Sequence, residues 1–405
     1  MTATDPGGGP AVVLGVGAGI AAYKVCELLR RLTETGHDVH VVPTADALRF
    51  VGAATWEALS GHPVASDVWS DVAAVPHVRL GQRADLVFVA PATADLLARA
   101  AHGRADDLLT STLLTARCPV VYAPAMHTEM WEHPATQANV GVLRDRGAIV
   151  VEPASGRLTG ADSGPGRLPE PAELFEVARR VLARGRLDRD LAGRHVVVSA
   201  GGTREAIDPV RFIGNRSSGL QGYALARTAV ARGARVTVVA ANVALPDPAG
   251  VHIVRVGSAE EMGKAVHEAA PDADAVVMAA AVADFRPAGY RTTKIKKLET
   301  AEPEPITLAK NPDILAELVA VRPAGQVIVG FAAETDDVLE HGRAKLARKG
   351  CDLLVVNQVG ERLAFGAADN AAVVLAADGA LVEVPRGPKE ALADTVWDLV
   401  VARLG

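Results

Sequence analysis

Short apolar runs alternate with helical patterns along the whole chain. Ala11–Leu14, His37–Val42, Leu86–Val89, Val120–Tyr122 and Ala148–Val151 read as strands. Helical patterns cover Ala21–Thr35, Ala45–Leu59, Ala94–Ala101, Asp107–Thr115, Thr136–Arg146 and Pro169–Leu182. Buried strands that alternate with helices predict a parallel sheet covered on both faces. The last of these helices carries acids early and arginines late, as the helix dipole favours. A charged connector, Arg184–Asp190, follows it and puts a domain boundary near residue 188.

The strand–glycine loop–helix opening then recurs without a sequence repeat. His195–Val198 feeds a polar loop, and a small-residue helix leaves it from Gly219 to Arg232. Strands at Val236–Ala240, His252–Val256, Ala275–Met278, Val327–Val329 and Leu353–Val356 alternate with helices at Ala259–Ala269, Ile314–Val319 and Asp336–Lys349. Ala371–Leu375 and Leu381–Val384 read as a hairpin across Asp378-Gly379, and Lys389–Leu404 as a closing helix. The predicted fold class is α/β, with two doubly wound, mainly parallel, Rossmann-like domains at 1–188 and 189–405.

Composition narrows the function. The net charge of −6 gives no reason to expect nucleic acid or a membrane surface as partner. Cys26, Cys118 and Cys351 form no C-x-x-C, so the sequence shows neither a zinc site nor a disulfide framework. The acidic, Gly-rich start is no signal peptide, and no apolar stretch reaches membrane-span length. A cytoplasmic protein is expected.

Candidate chemistry lies at the strand ends. Ser199–Gly219 holds three arginines, Asn215 and paired serines ahead of a helix N-terminus, a place where open α/β sheets bind anions. About twenty residues without an element of their own read as a functional loop. The first glycine loop fails as a dinucleotide fingerprint: Ile20 stands where the third glycine belongs, and the second strand ends at Pro43-Thr44 without an acid. With Thr44 there, a mononucleotide phosphate held by loop N–H groups and hydroxyls fits better. The second half also lacks a ribose acid, at Ala240-Ala241, and has no P-loop.

Gly19–Lys24, His77, Pro91–Asp95, Pro124–Met126 and Gly164–Arg167 together resemble the flavin-dependent phosphopantothenoylcysteine decarboxylases over nearly the whole first half. The resemblance implies FMN on loops containing Gly17, Gly19, Ile20, Thr44, Pro91, Ala92, Thr93, Ala94, Asp95 and Met126, at a subunit interface. It implies His77 as catalytic base, and flavin oxidation of the substrate thiol to a thioaldehyde that stabilises the carbanion left by CO₂. Two positions depart from the family pattern. His127 replaces the asparagine of Pro-Ala-Met-Asn, and the glycine-rich flap Glu152–Arg167 carries Gly160, beside Thr159, where many relatives have a cysteine. His127 or the Thr159 hydroxyl is the expected substitute proton donor.

The second half resembles the phosphopantothenate–cysteine ligases. That resemblance implies coupling of 4′-phosphopantothenate to cysteine with CTP and Mg²⁺ through an acyl-cytidylate. Asn215 would hold the acyl intermediate, and Arg211 would face anionic substrate or phosphate. Lys294 would stabilise charge as pyrophosphate leaves. Met278, Ala279, Ala280, Asp284, Pro312, Asp313, Ile314, Leu315, Phe331, Lys345 and Lys349 would build the CTP pocket. Lys345 and Lys349, four apart, share a helix face. The Mg²⁺ ligands are not identified.

The order of halves matches the bifunctional proteins of coenzyme A biosynthesis. By that resemblance the flavin domains trimerise and the ligase domains dimerise. Two alternatives stand beside it: an active ligase behind a flavin-binding but decarboxylation-impaired assembly module, and an unrelated two-domain oxidoreductase.

Overall fold

The computed structural model describes residues 9–64, 75–157, 163–295, 305–334, 337–358 and 369–405. The chain divides into two compact units, Met1–Asp188 and Arg189–Gly405.

The first unit runs β1 (Ala11–Val16), α1 (Ala22–Glu34), β2 (Asp38–Pro43), α2 (Ala53–Ser60), α3 (Pro76–Arg83), β3 (Leu86–Ala92), α4 (Ala94–Ala101) and α5 (Leu108–Thr115). It continues through β4 (Val120–Pro124), α6 (Thr128–Glu132), α7 (Pro134–Asp145), β5 (Ile149–Val150), a ribbon of β6 (Ala154–Arg157) and β7 (Ser163–Arg167), and α8 (Pro171–Arg184). The parallel sheet has the order β2-β1-β3-β4-β5, so strand order reverses at β1 and β3. Val12, Leu14 and Phe88 face one core with Leu28, Leu32 and Phe175, whereas Val13, Val87 and Val89 face the other with Leu97, Leu109 and Trp131. Both faces are thus dry, which is why these strands read as continuous apolar runs.

The second unit runs β8 (His195–Gly201), β9 (Arg204–Ala206), β10 (Phe212–Gly214), α9 (Leu220–Ala231), β11 (Arg235–Ala241), β12 (Val251–Val256), α10 (Ala259–Ala269), β13 (Ala275–Met278), β14 (Phe285–Pro287) and β15 (Leu308–Lys310). Then come α11 (Ile314–Val321), β16 (Val327–Glu334), α12 (Val338–Lys349), β17 (Leu353–Gln358), β18 (Asp369–Ala376), β19 (Leu381–Pro388) and α13 (Lys389–Leu404). Its sheet has the order β12-β11-β8-β13-β16-β17-β18-β19, parallel up to β17 and antiparallel beyond, with the order reversing at β8 and β13. The closing helix is fastened by the buried Trp397, whose Nε1 donates to Leu225 O and Thr228 Oγ1, both at 3.0 Å.

Four sequence expectations need correction. The helix expected over Ala45–Leu59 is interrupted, because Gly52 is extended and starts α2 afresh after a 3₁₀ turn at Ala47–Arg49. His77 lies on a helix, α3, that the pattern did not reveal. The Ser199–Gly219 loop contains an element of its own, the β9–β10 hairpin. A second small ribbon, β14–β15, also went unforeseen.

Candidate functional sites at the two strand-order reversals

In the first unit the backbone draws the loops together. Gly17 N donates to Pro91 O at 3.0 Å across the reversal, and Thr44 N donates to Val16 O at 2.9 Å. Ala125 N donates to Ala92 O, and Met126 N to Gly166 O at 2.9 Å. A Cβ at Gly17 would sit 2.4 Å from Pro91 O, so this approach requires glycine. A Cβ at Gly166 would lie 2.3 Å from Met126 O, so the β6–β7 ribbon lies directly on the 126–127 backbone.

Four loops with free main-chain donors and small side chains therefore meet at one sheet edge. Thr93 caps α4, its Oγ1 accepting from Leu96 N, and Asp95 pairs with Arg99 at 3.0 Å. Thr44 is nearly buried and its Oγ1 accepts from Ala47 N. Gly19 O and Ile20 O accept from Ala22 N and Tyr23 N, making the turn into α1, and Ile20 is 75% exposed. Met126 packs on the core beneath, with its polar neighbour His127 exposed.

His77 is held by its own helix rather than by these loops. Thr115 Oγ1 donates to His77 O at 2.7 Å, and α3 packs on α5 through Gly81, where a Cβ would lie 2.2 Å from Thr115 Oγ1. The His77 Nδ1 atom is buried and has no hydrogen-bond partner. A buried imidazole nitrogen left unpaired is costly in a purely structural histidine. Thr128, which nothing in the sequence pattern singled out, has the same property: its Oγ1 is buried and unpaired, against Gly164 of the ribbon. Thr159 and Gly160 lie outside the described residues.

The second site is held by side chains. Ala281 N donates to Gly201 O and Thr203 N to Ala281 O, stitching the loop across the reversal of β8 and β13. Ser199 Oγ accepts from Ala280 N, and the fully buried Thr203 Oγ1 accepts from Ala283 N at 2.9 Å. Glu205 accepts from Ala259 N, the first residue of α10. Asp208 accepts from Val210 N, Arg211 N and Ile295 N. Burial alone would raise the Asp208 carboxyl, but these three donations hold it below the ordinary carboxylate range.

The expected ligase residues gather here. Arg211 Nη2 donates to Ile295 O at 2.6 Å, which ties the loop to the residue after the exposed Lys294. Asn215 Nδ2 donates to Val282 O at 2.9 Å, and Asn311 Nδ2 to Ala283 O at 2.8 Å. Asp284 O accepts from Asn311 N, which brings Pro312 and Asp313 to the same edge.

Three details change the expected pocket. Met278 and Ile314 are core residues, so only their main chain is free for a ligand, and Leu315 is partly buried against the same core. Phe331 packs against the opposite core. Lys349 is already engaged: its ammonium pairs with Asp313, whose carboxyl burial would raise and this pairing lowers. Asn357, at the end of β17, was missed: its Oδ1 is buried without a partner.

Two doubly wound units, each with an anion-suited loop cluster at its reversal point, define a two-domain flavoprotein-type α/β enzyme. A flavoprotein family model matches residues 3–182, and the model of the C-terminal domain of DNA/pantothenate metabolism flavoproteins matches 191–404. The coenzyme A biosynthesis bifunctional protein CoaBC of Mycobacterium bovis is 62% identical over 97% of this chain and 96% of its own. That of Vibrio vulnificus is 42% identical over 98% of each. Among solved structures, a CoaBC C-terminal domain is 34% identical with a TM-score of 0.46, covering 54% of this chain and 98% of its own. A PPC decarboxylase mutant is 28% identical with a TM-score of 0.40, covering 43% and 98%.

The chain belongs to the coenzyme A biosynthesis bifunctional protein family. It is a bifunctional enzyme of coenzyme A biosynthesis, with decarboxylase and ligase activities. Neither the unrelated oxidoreductase nor the decarboxylation-impaired module is favoured, since the likeness runs through both halves.

Proposed function

We propose that residues 189–405 couple 4′-phosphopantothenate to cysteine with CTP and Mg²⁺ through an acyl-cytidylate, and that residues 1–188 decarboxylate the product to 4′-phosphopantetheine with FMN. The observation that carries the first-unit assignment is the meeting of the Gly17, Thr44, Pro91 and Met126 loops at one sheet edge. These residues suit a flavin mononucleotide: the glycine turn leaves N–H groups open, no side chain crowds Gly19 beyond Pro91 Cγ at 3.9 Å, and no acid demands a ribose diol. Gly17, Gly19, Ile20, Thr44 and Pro91–Asp95 would hold it, with Met126 beneath. When bound, FMN supplies the two-electron oxidation of the substrate thiol and the later return of those electrons.

The chain's own residues handle protons and position. His77, with a buried and unpaired Nδ1, is the base. His127, exposed at the start of α6, donates to the substrate carboxylate and, with Thr159, stands in for the absent flap cysteine as proton donor. In the second unit Asn215 holds the acyl-nucleotide, Arg211 braces the loop that presents Lys294, and Lys294 offsets the charge of departing pyrophosphate. Met278–Ala280, Asp284, Pro312–Leu315 and Lys345 line the nucleotide, Met278 and Ile314 through their main chain. A carboxylate is a poor electrophile until it becomes a mixed anhydride, so activation by CTP precedes coupling to cysteine.

The enzyme acts in the cytoplasm as a homo-oligomer with trimeric flavin units and dimeric ligase units. The exposed Ile20 and Tyr23 beside the flavin loops support a partner subunit there. Among the described residues no helix is long and apolar enough to cross a membrane.

One purified sample tests the reading. It should be yellow, turn over pyrophosphate continuously only with CTP, phosphopantothenate and cysteine together, and then release CO₂. Colour and ligation without CO₂ would refute the decarboxylase assignment.

A further inference from the structure

Away from both loop clusters, Asp38, His40 and His62 bring their ligating atoms within 4.8 Å of one another. Asp38 and His40 sit two apart on β2, so the strand's period of two puts both on one face. His62 arrives from the other direction, just after the left-handed Gly61 that ends α2. Its Nε2 lies 2.6 Å from Asp38 Oδ1, and His40 Nε2 lies 3.5 Å from Asp38 Oδ2. The two imidazoles stack with centroids 4.2 Å apart and planes inclined by 23°.

A stack of two imidazoles converging on one carboxylate is poorly explained as simple packing. A metal ion bound tetrahedrally needs ligand atoms roughly 3.4 Å apart at metal–ligand distances near 2.1 Å, a spacing that small side-chain rotations provide here. All three side chains remain more than a third exposed, which leaves room for water at the fourth position. β2 is the edge strand, and Asp38 lies at the opposite end of it from Thr44. The cluster is therefore separate from the flavin loops.

We propose that Asp38, His40 and His62 form a binding site for one borderline divalent transition metal of the zinc class, which clips the chain after α2 to the edge of the sheet. Two imidazoles and one carboxylate suit zinc, cobalt or nickel and discriminate against magnesium, which favours oxygen ligands. Coordination takes each imidazole in its neutral form, His40 included. Arg79 is the cationic group facing it and weakens cation uptake. Binding transfers the His62 Nε2 proton to Nδ1 and replaces the hydrogen bond to Asp38 with coordination.

The test uses the full-length protein, treated with chelator and then dialysed, without nucleotide. Zinc is titrated against a competing chromophoric chelator. One zinc ion per chain is expected in the wild type, and also in His102→Ala, a control at an exposed surface histidine. His62→Gln and His40→Ala should each weaken that site by roughly ten- to a hundredfold while keeping bound flavin. X-ray absorption of the zinc complex should show two imidazoles and oxygen ligands. Equal zinc binding in the wild type and both variants, or an absorption spectrum without paired imidazoles, would overturn the proposal. So would a wild type that takes up no zinc.

Discussion

Both units place a strand, a glycine turn and a helix at the point where strand order reverses, and they hold that point by different means. In the first, main-chain groups do most of the work: Gly17, Val16, Pro91, Ala92 and Met126 meet through backbone hydrogen bonds, and side chains are small. In the second, a loop more than three times as long is fixed by buried Ser199, Thr203, Glu205 and Asp208. A planar cofactor that stays bound suits a short cradle made of backbone. A site proposed to admit three substrates and release pyrophosphate suits a longer loop, braced by two acids and two hydroxyls.

The largest effect expected is at His77. His77→Asn should reduce decarboxylation by about 10²–10⁴-fold, the usual share of a general base, and leave pyrophosphate release by the ligase unchanged. Parallel CO₂ and pyrophosphate assays check it. Next is the backbone cradle: Gly17→Ala puts a methyl 2.4 Å from Pro91 O, and overpacking of that kind costs about 1–3 kcal/mol. The variant should purify with little flavin and full ligase activity, read from the absorbance ratio at 450 and 280 nm, roughly the flavin and protein bands.

Smaller effects come from the ligase loop. Thr203→Val leaves Ala283 N without its acceptor and should cost about 1–3 kcal/mol in chemical denaturation of the second unit. Asp208 sharpens the same comparison through pH. Its folded carboxyl lies below the ordinary value despite burial, so its contribution is present above about pH 4, the unfolded value, and is lost as pH falls through the lower folded value. Protection of the Val210 and Ile295 amides, taken relative to the unstructured exchange rate at each pH, should therefore persist at about pH 4 and be lost as pH falls further. Asp208→Asn should remove that step. Least of all, Lys349→Met breaks only the partly exposed pair with Asp313 and should cost under about 1 kcal/mol of stability. A loss of ligation many times larger would mean that Lys349 leaves Asp313 to meet the nucleotide.

The parallel sheets were legible because strands covered on both faces are apolar without alternation, as in Leu86–Val89 and Ala275–Met278. The candidate site residues near Pro91 and Asn215 stood out because polar and glycine positions cluster where those strands stop. What stayed hidden was set by tertiary contact. Residues 76–83 carry Gly81 and three cations or histidine in eight positions, and form α3 because that glycine lets the helix meet α5. The β9–β10 hairpin depends on Asp208 gathering three amides, one of them from residue 295. The pairing of Lys349 with Asp313 and the unpaired atoms of Thr128 and Asn357 leave no trace in spacing. The His40–His62 contact likewise joins residues that no local pattern connects.

The central claim is that two separable active sites share one chain, and Asn215→Asp in the full-length enzyme tests it most directly. With CTP, phosphopantothenate and cysteine the variant should release pyrophosphate, accumulate the activated acyl-nucleotide and make little coupled product. Supplied with phosphopantothenoylcysteine, it should release CO₂ at the wild-type rate. Loss of both activities together, in a variant that keeps its flavin, would contradict the account.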